Sequence, residues 1–391
     1  MYDLLLKSLS AALSGKQYQP TDERKIVECF DESLLHSVYP LVYHSLQQVK
    51  TIDSAYTKNY YQIIAKNINN RDEHKQLHTI MSNAGIKYVI LKGIASAQYY
   101  PSPELRTMGD VDFLIDPSLC ETVDHLLVSK GFIRHEANEE QGYHWGYSKH
   151  RSTFELHWAA PGIPKNGEYG ERIRECLSDI VEKAQYQDGC MIPSRFHHGI
   201  VLLLHSAGHM TAGGLGLRHL CDWAVFVNSF ETSEFTETFE ESLRNIGLWE
   251  FARVLTAVSI KYLGVKSASW CDGVETWVID AIMQDIIDSG NFGCKDRQRL
   301  NQSKLLRNAD DRTVGGGSIH NVFVFLNNRA RKAMPITVRC PLLLPVGWLY
   351  VGGRHIYRII TKKKDRIDIH ETIYGAKKRK QLYERLKLFS E

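Results

Sequence analysis

Apolar residues recur at three- and four-residue intervals through the first 80 positions. The pattern is clear in LLLKSLSAAL, in ERKIVECFDESLLHSVYPLVYHSL and over 56–83, and it predicts a run of helices with a polar outer face. The period shortens after Ile86. Lys87-Tyr88-Val89-Ile90-Leu91 is a brief β-leaning run that passes directly into Lys92-Gly93 and a small-residue helix over 94–99, stopped by Pro101 and Pro103. Val111-Asp112-Phe113-Leu114-Ile115 predicts a second strand ended by Asp116-Pro117, and a helix over 118–130 follows. Two more strands are expected at 143–148 and 153–158, where aromatic and β-branched residues concentrate. Beyond Pro164 the pattern is helical to about 306, and 310–318, rich in Asp and Gly, reads as a linker. A last helical segment, an apolar stretch and a basic tail complete the chain. The expected class is α+β, a small mixed β-sheet core flanked by N-terminal helices and a larger C-terminal helical region. The expected divisions are 1–80 for the N-terminal helical region, 81–162 for the core, 163–310 for a helical domain and 311–391 for the linker, apolar segment and tail.

Composition narrows the classes. A chain of 391 residues, 43% hydrophobic and 24% charged, has ordinary globular composition, enough for two or three domains at about 150 residues each. The longest apolar stretch, 340–351, holds Pro341 and Pro345 and falls short of the roughly 20 residues a bilayer span needs, so no transmembrane segment is expected. The start, MYDLLLKSLSAALSGK, lacks the basic beginning and long apolar run of a secretory signal. Eight scattered cysteines without a CxxC pattern read as reduced thiols, and a cytoplasmic location is expected. The net charge of +3 conceals an asymmetry: residues 329–391 carry 16 Lys/Arg against five Asp/Glu, a net of +11, and the rest of the chain 32 against 40. Such a tail suits an anionic partner. A solvated helical face at 377–380, with 340–351 buried on the helical body rather than anchored to a lipid surface beside Arg354, Arg358 and 362–364, is the preferred reading.

Candidate chemistry concentrates in LKGIASAQYYPSPELRTMGDVDFLIDP, residues 91–117. Asp110 and Asp112 lie two apart at the start of a strand, so their side chains point the same way. Two carboxylates beside hydrophobic residues are costly unless a cation neutralises them, and Mg²⁺ prefers one or two carboxylates with phosphate and water. Standing alone, the pair would read as two solvated acids at an exposed strand start. It does not stand alone: a strand ending in Lys92-Gly93 and turning into a helix exposes backbone N–H groups, and Lys92 and Arg106 add cations in the same segment. An anion cradle therefore precedes a metal-binding acid pair within one unit.

The strand–Lys92-Gly93–helix unit, followed by Arg106 and Gly109-Asp110-Val111-Asp112, resembles the nucleotidyltransferase superfamily of DNA polymerase beta type. It is most similar to the uncharacterised bacterial nucleotidyltransferase family, in which Leu-Lys-Gly leads to an Arg-x-x-x-Asp-x-Asp strand. The superfamily's second small residue is replaced here by Ile94, and the gap of 17 from Gly93 to Asp110 is longer than its norm; both features look typical of the narrower family. The resemblance implies a nucleotidyltransferase core at 81–162 and a third carboxylate on a later strand. Glu155, in Thr153-Phe154-Glu155-Leu156-His157-Trp158, is the candidate, with His157 beside it in a supporting or substrate-contacting role. It further implies an enzyme that moves an NMP group from an NTP, ATP being the expected donor, to an unknown small-molecule, protein or RNA acceptor with release of pyrophosphate. Asp110, Asp112 and Glu155 would ligate Mg²⁺ or Mn²⁺, and Lys92, Gly93 and Arg106 would bind the phosphates. Two metal ions about 3.5–4 Å apart can stabilise both ends of such an in-line transfer.

The stretch HHGIVLLLHSAGHM sets His205 and His209 one helical turn apart without the Glu of HExxH, which fits hydrogen-bonded core histidines better than a metalloprotease. Arg218 and Asp222 are spaced for an ion pair along one helix. The family shows a similar His-rich helix and Arg…Asp helix, so His205, His209, Arg218 and Asp222 are candidates for the substrate pocket. Glycines 213, 214, 216 and 315–317 are read as turns. Two rival functions remain open: a degenerate scaffold that binds a nucleotide or partner without turnover, and a sugar-nucleotide glycosyltransferase using Asp-x-Asp. The second calls for several βα units before the acid pair, where this sequence is helical.

Overall fold

A computed structural model describes residues 2–49, 52–135, 144–165, 167–295, 299, 302, 326–331, 333–360 and 369–390. The chain begins with helices α1 (Tyr2–Leu13), α2 (Ile26–Leu35), α3 (Tyr39–Leu46) and the long α4 (Ser54–Asn83), whose first turn is capped by Asp53 accepting the Ala55 N–H at 2.7 Å. There follow β1 (Val89–Ile90), the single-turn α5 (Ile94–Ala97), β2 (Val111–Leu114), α6 (Cys120–Ser129), β3 (Ile133–Arg134), β4 (His144–Lys149) and β5 (Ser152–His157). After α7 (Glu168–Cys176) and a hairpin of β6 (Gln185–Gln187) and β7 (Cys190–Ile192) come α8 (Arg195–Ala212), α9 (Leu217–Asn228), α10 (Thr232–Asn245), α11 (Trp249–Leu263) and α12 (Thr276–Ser289). Helices at Leu344–Ile360 and Ile369–Glu384 lie toward the C-terminus. Among the described residues no helix is long and apolar enough to cross a membrane.

The five-stranded sheet has the order β1-β2-β5-β4-β3, with β2 and β5 parallel and the other neighbours antiparallel. This is the expected α+β fold with a small mixed sheet. Strand alternation sends Val111, Phe113, Phe154 and Leu156 to one face, where they pack with Leu77 and Met81 of α4 and Val123 and Leu127 of α6. Fully burying such a side chain contributes about 1.5–3 kcal/mol. A one-residue slip of β5 would expose Phe154 and Leu156 and bury Glu155 instead, so the register is firmly set. The parallel pairing then puts Asp112 beside Glu155 and Leu114 beside His157 on the opposite face.

Several expectations are corrected. The stretch after Pro164 is interrupted by the β6–β7 hairpin, which turns through Asp188 (φ 52°) and Gly189 (φ 89°) and docks on β1 and α4. The helix expected over 94–99 is one turn, and the strand over 87–91 pairs only at Val89–Ile90. The apolar segment 340–351 is not buried: Leu342 is 88% and Leu349 77% exposed, because Pro341 and Pro345 start a helix that leaves those side chains uncovered. In the 377–380 cluster Lys377, Lys378 and Lys380 face solvent, whereas Arg379 is buried and donates to the Met210 carbonyl. The 310–318 linker and the basic 362–364 run lie outside the described residues.

Candidate functional site

A cavity of about 540 Å³ opens between the polar face of the sheet and helices α8 and α9. The sheet supplies Asp110, Asp112, Glu155 and His157; the turn after β1 supplies Lys92 and Gly93. Asp112 is buried, and its Oδ1 accepts from Lys92 Nζ at 2.8 Å and His157 Nε2 at 3.1 Å. The same His157 nitrogen lies 3.3 Å from Glu155 Oε2. Ligand-capable atoms of Asp112, Glu155 and His157 all fall within 4.8 Å of one another. Asp110 lines the same cavity outside that trio and is exposed, its carboxylate accepting the Thr153 hydroxyl. Burial alone would favour the neutral acid at Asp112, but the Lys92 ammonium and the His157 hydrogen bond hold its pKa well below the carboxylate range. Burial also opposes charge on His157, yet its hydrogen bonds to Asp112 and Glu155 win and raise its pKa.

The backbone explains why these groups converge. Gly93 turns the chain with φ +64°, a conformation that strains any residue with a Cβ, and the buried His74 ring of α4 lies just beneath it. The loop that delivers Asp110 is pinned from α4: Asn67 accepts the Met108 N–H at 2.9 Å and donates to the Glu104 carbonyl, while Asn70 donates to the Gly109 carbonyl at 2.9 Å. From the other side Arg106 clamps the loop to α9. Its Nε and a terminal nitrogen donate to the two oxygens of Asp222 at 2.8 and 2.7 Å, and the Tyr100 hydroxyl adds a third bond to that carboxylate.

This clamp revises one expectation. Asp222 pairs with Arg106 across 116 residues instead of with Arg218 along its own helix, and Arg106 lines the cavity as the buried partner of Asp222. Arg218 reaches the cavity with its Nε unpartnered among the described residues, and burial pushes its pKa down to about 10. His205 and His209 line the helical wall, and His219 joins them. Burial holds all three neutral, with His209 down to about 3; the nearby cations Lys92 and Arg218 act in the same direction.

Sequence reasoning missed His144, His219, Asn67, Asn70 and Phe292. His144 sits opposite His157 in the β4–β5 register and reaches within 3.8 Å of Glu155, a position that strand alternation could have flagged. The others depend on which helix face meets the cavity, which no local pattern reveals.

No curated protein and no solved structure matches the chain. Residues 27–264, which include both walls of the cavity apart from Phe292, match the family described as uncharacterised nucleotidyltransferase. With well over half its length matched across the residues that build this cavity, the chain belongs to that family.

Proposed function

We propose that the protein is a divalent-metal-dependent nucleotidyltransferase that moves an NMP group from an NTP, ATP by preference, to an acceptor hydroxyl or comparable nucleophile, with pyrophosphate leaving. The observation that carries the reading is the register of β2 against β5. It sets Asp112 and Glu155 side by side on a cavity wall, facing the Lys92-Gly93 turn, in a chain of nucleotidyltransferase family. Only β1 precedes the acid pair among the described strands, which disfavours the glycosyltransferase alternative.

Asp110, Asp112 and Glu155 would hold Mg²⁺ or Mn²⁺. The donor set fits: these are carboxylate oxygens on an open cavity, the chemistry hard cations prefer. When bound, the metal neutralises charge on the transferring phosphoryl group and lowers the pKa of the attacking hydroxyl. The protein's own part is positioning. Lys92 stands between Asp112 and the Gly93 turn, where its ammonium balances Asp112 and is near enough to meet an incoming phosphate. His157 orients Asp112 and Glu155 by sharing one N–H between them. Asn67, Asn70 and the Arg106–Asp222 pair keep the Asp110 loop from moving, so that the donor and acceptor meet in one geometry.

The test is calorimetric titration of MgATP into the wild type and an Asp110→Ala/Asp112→Ala variant, alongside pyrophosphate release from an NTP panel offered metabolite and RNA pools. Weakened nucleotide binding in the variant and acceptor-dependent pyrophosphate in the wild type are expected. Equal binding by both proteins, with no turnover on any pool, would sink the reading in favour of a non-catalytic scaffold.

A further inference from the structure

The helical wall carries a second set of metal-capable groups made of nitrogen instead of oxygen. His205 and His209 project from adjacent turns of α8, and His219 comes from the first turn of α9. Their ligand-capable nitrogens lie within 4.8 Å of one another. The two Nε2 atoms of His205 and His209 are 3.1 Å apart, and the His219 ring centroid is 4.7 Å from that of His209 and 5.2 Å from that of His205. Three imidazoles on a tetrahedral zinc ion, with Zn–N bonds of about 2.0–2.1 Å, have nitrogens about 3.3 Å apart. One pair already has that spacing, and the third ring needs only a small side-chain movement.

A bonded core accounts for His205 and His209, whose Nε2 atoms are within hydrogen-bond distance of each other, but not for His219. Among the described residues neither buried ring nitrogen of His219 has a hydrogen-bond partner, and the residue is only 3% exposed. Buried polar atoms in native proteins are nearly always satisfied, so an orphaned ring of this kind points to a ligand on one of its nitrogens. The buried histidines of α8 are bonded through at least one nitrogen: His197 bonds Asp179 at 2.9 Å and Ser194, and His198 meets Ser96 at 3.3 Å. Phe292 closes the outer side, its ring centroid 4.8 Å from His209 and 5.6 Å from His219. The inner side opens into the cavity.

We infer that His205, His209 and His219 form a three-imidazole site for a divalent transition-metal ion of the zinc class, with its remaining position open to the cavity for an anionic oxygen. Neutral imidazole is the ligand form, and imidazole suits zinc, cobalt and nickel where carboxylates suit magnesium. Arg218, with its Nε unpartnered beside this wall, disfavours a bare cation there and so dictates the nature of the open ligand. A phosphate or carboxylate oxygen would satisfy the ion and the guanidinium together. The site does not depend on nucleotidyl transfer and would stand if that reading failed.

Co²⁺ and Zn²⁺ titrated into the whole chain provide the test, with the cobalt d–d spectrum reporting ligand type and calorimetry the stoichiometry. An Asp112→Asn variant, which disables the sheet wall, should still bind one Co²⁺ with the intense bands of a nitrogen-ligated, low-coordinate ion. His209→Ala and the near-isosteric His219→Gln should each lose at least tenfold in affinity, and the rise in wild-type Tm with Zn²⁺ should vanish in His219→Gln. Inorganic phosphate should shift the cobalt bands of the wild type and not those of a folded Arg218→Ala variant. Cobalt binding unchanged in both folded histidine variants, or lost in Asp112→Asn alone, would overturn the site, as would a folded wild type that binds no zinc.

Discussion

The two walls of the cavity use the same side chain in opposite ways. On the sheet, His157 shares its N–H between Asp112 and Glu155, and these bonds raise its pKa despite burial. On the helices, His219 is equally buried but has no acid beside it among the described residues; burial and the neighbouring cations hold it neutral. Neither state is intrinsic to histidine. Protonation follows the partners that each element brings, so one cavity pairs a charge-compensated oxygen wall with an uncharged nitrogen wall. The walls also differ in assembly. The oxygen wall is fixed by backbone register, whereas the nitrogen wall rests on how α8 and α9 dock against the core.

The strongest way to break this arrangement is to remove the tie between the walls. Asp222→Ala leaves the Arg106 guanidinium buried without its carboxylate, and such a loss costs about 3–5 kcal/mol. Urea unfolding should show the drop, and Asp222→Asn, which keeps one acceptor, should fall by less. Gly162→Ala attacks the contact from the other side. A Cβ there, at φ +91°, would meet the Leu204 carbonyl oxygen of α8 at 2.2 Å, so a loss of roughly 3 kcal/mol is expected from overpacking and backbone strain together. Thermal unfolding checks it, and an unchanged Tm would mean that the loop after β5 and α8 are less tightly joined than their geometry implies.

The charge contrast has its own signature in pH. His198, on α8, is held neutral by burial, with its pKa down to about 3 against about 6.5 in the unfolded chain. Between those values the unfolded state binds the extra proton, so stability falls as pH drops below about 6.5, at about 1.4 kcal/mol per pH unit for this one group. In His198→Gln, denaturation measured from pH 7 to pH 4 should therefore be less steep. The smallest effect is expected at the Asp110 loop. Asn70→Ala frees the Gly109 carbonyl and should cost about 1 kcal/mol in stability, with a larger fractional loss of nucleotide turnover than of nucleotide binding.

Strand alternation made the sheet wall legible in the sequence. Once 111–115 and 153–158 are read as strands, Asp112, Glu155 and His157 must face away from Phe113, Phe154 and Leu156, and the cavity gathers them with Lys92, Gly93 and Asp110. The Arg106–Asp222 pair was not legible, because its partners are 116 residues apart and a closer, wrong pairing with Arg218 satisfied the helical spacing. The β6–β7 hairpin escaped because Gln185–Gln187 is exposed, short and polar, with none of the β-branched alternation that marks the other strands. His219 could not be singled out, since only the approach of α9 to α8 gives it neighbours.

The parallel pairing of β2 with β5 also carries a consequence for biosynthesis. Asp112 and Glu155 are partners across 43 positions of chain, whereas Lys92 is only 20 positions before Asp112. At about 5–20 residues per second, β2 leaves the ribosome roughly 2–9 s before β5 can complete its edge. Of the two side chains that donate to Asp112 Oδ1, Lys92 precedes it in the chain and His157 comes with β5, so through that interval the lysine is the one of the pair within reach of the carboxylate.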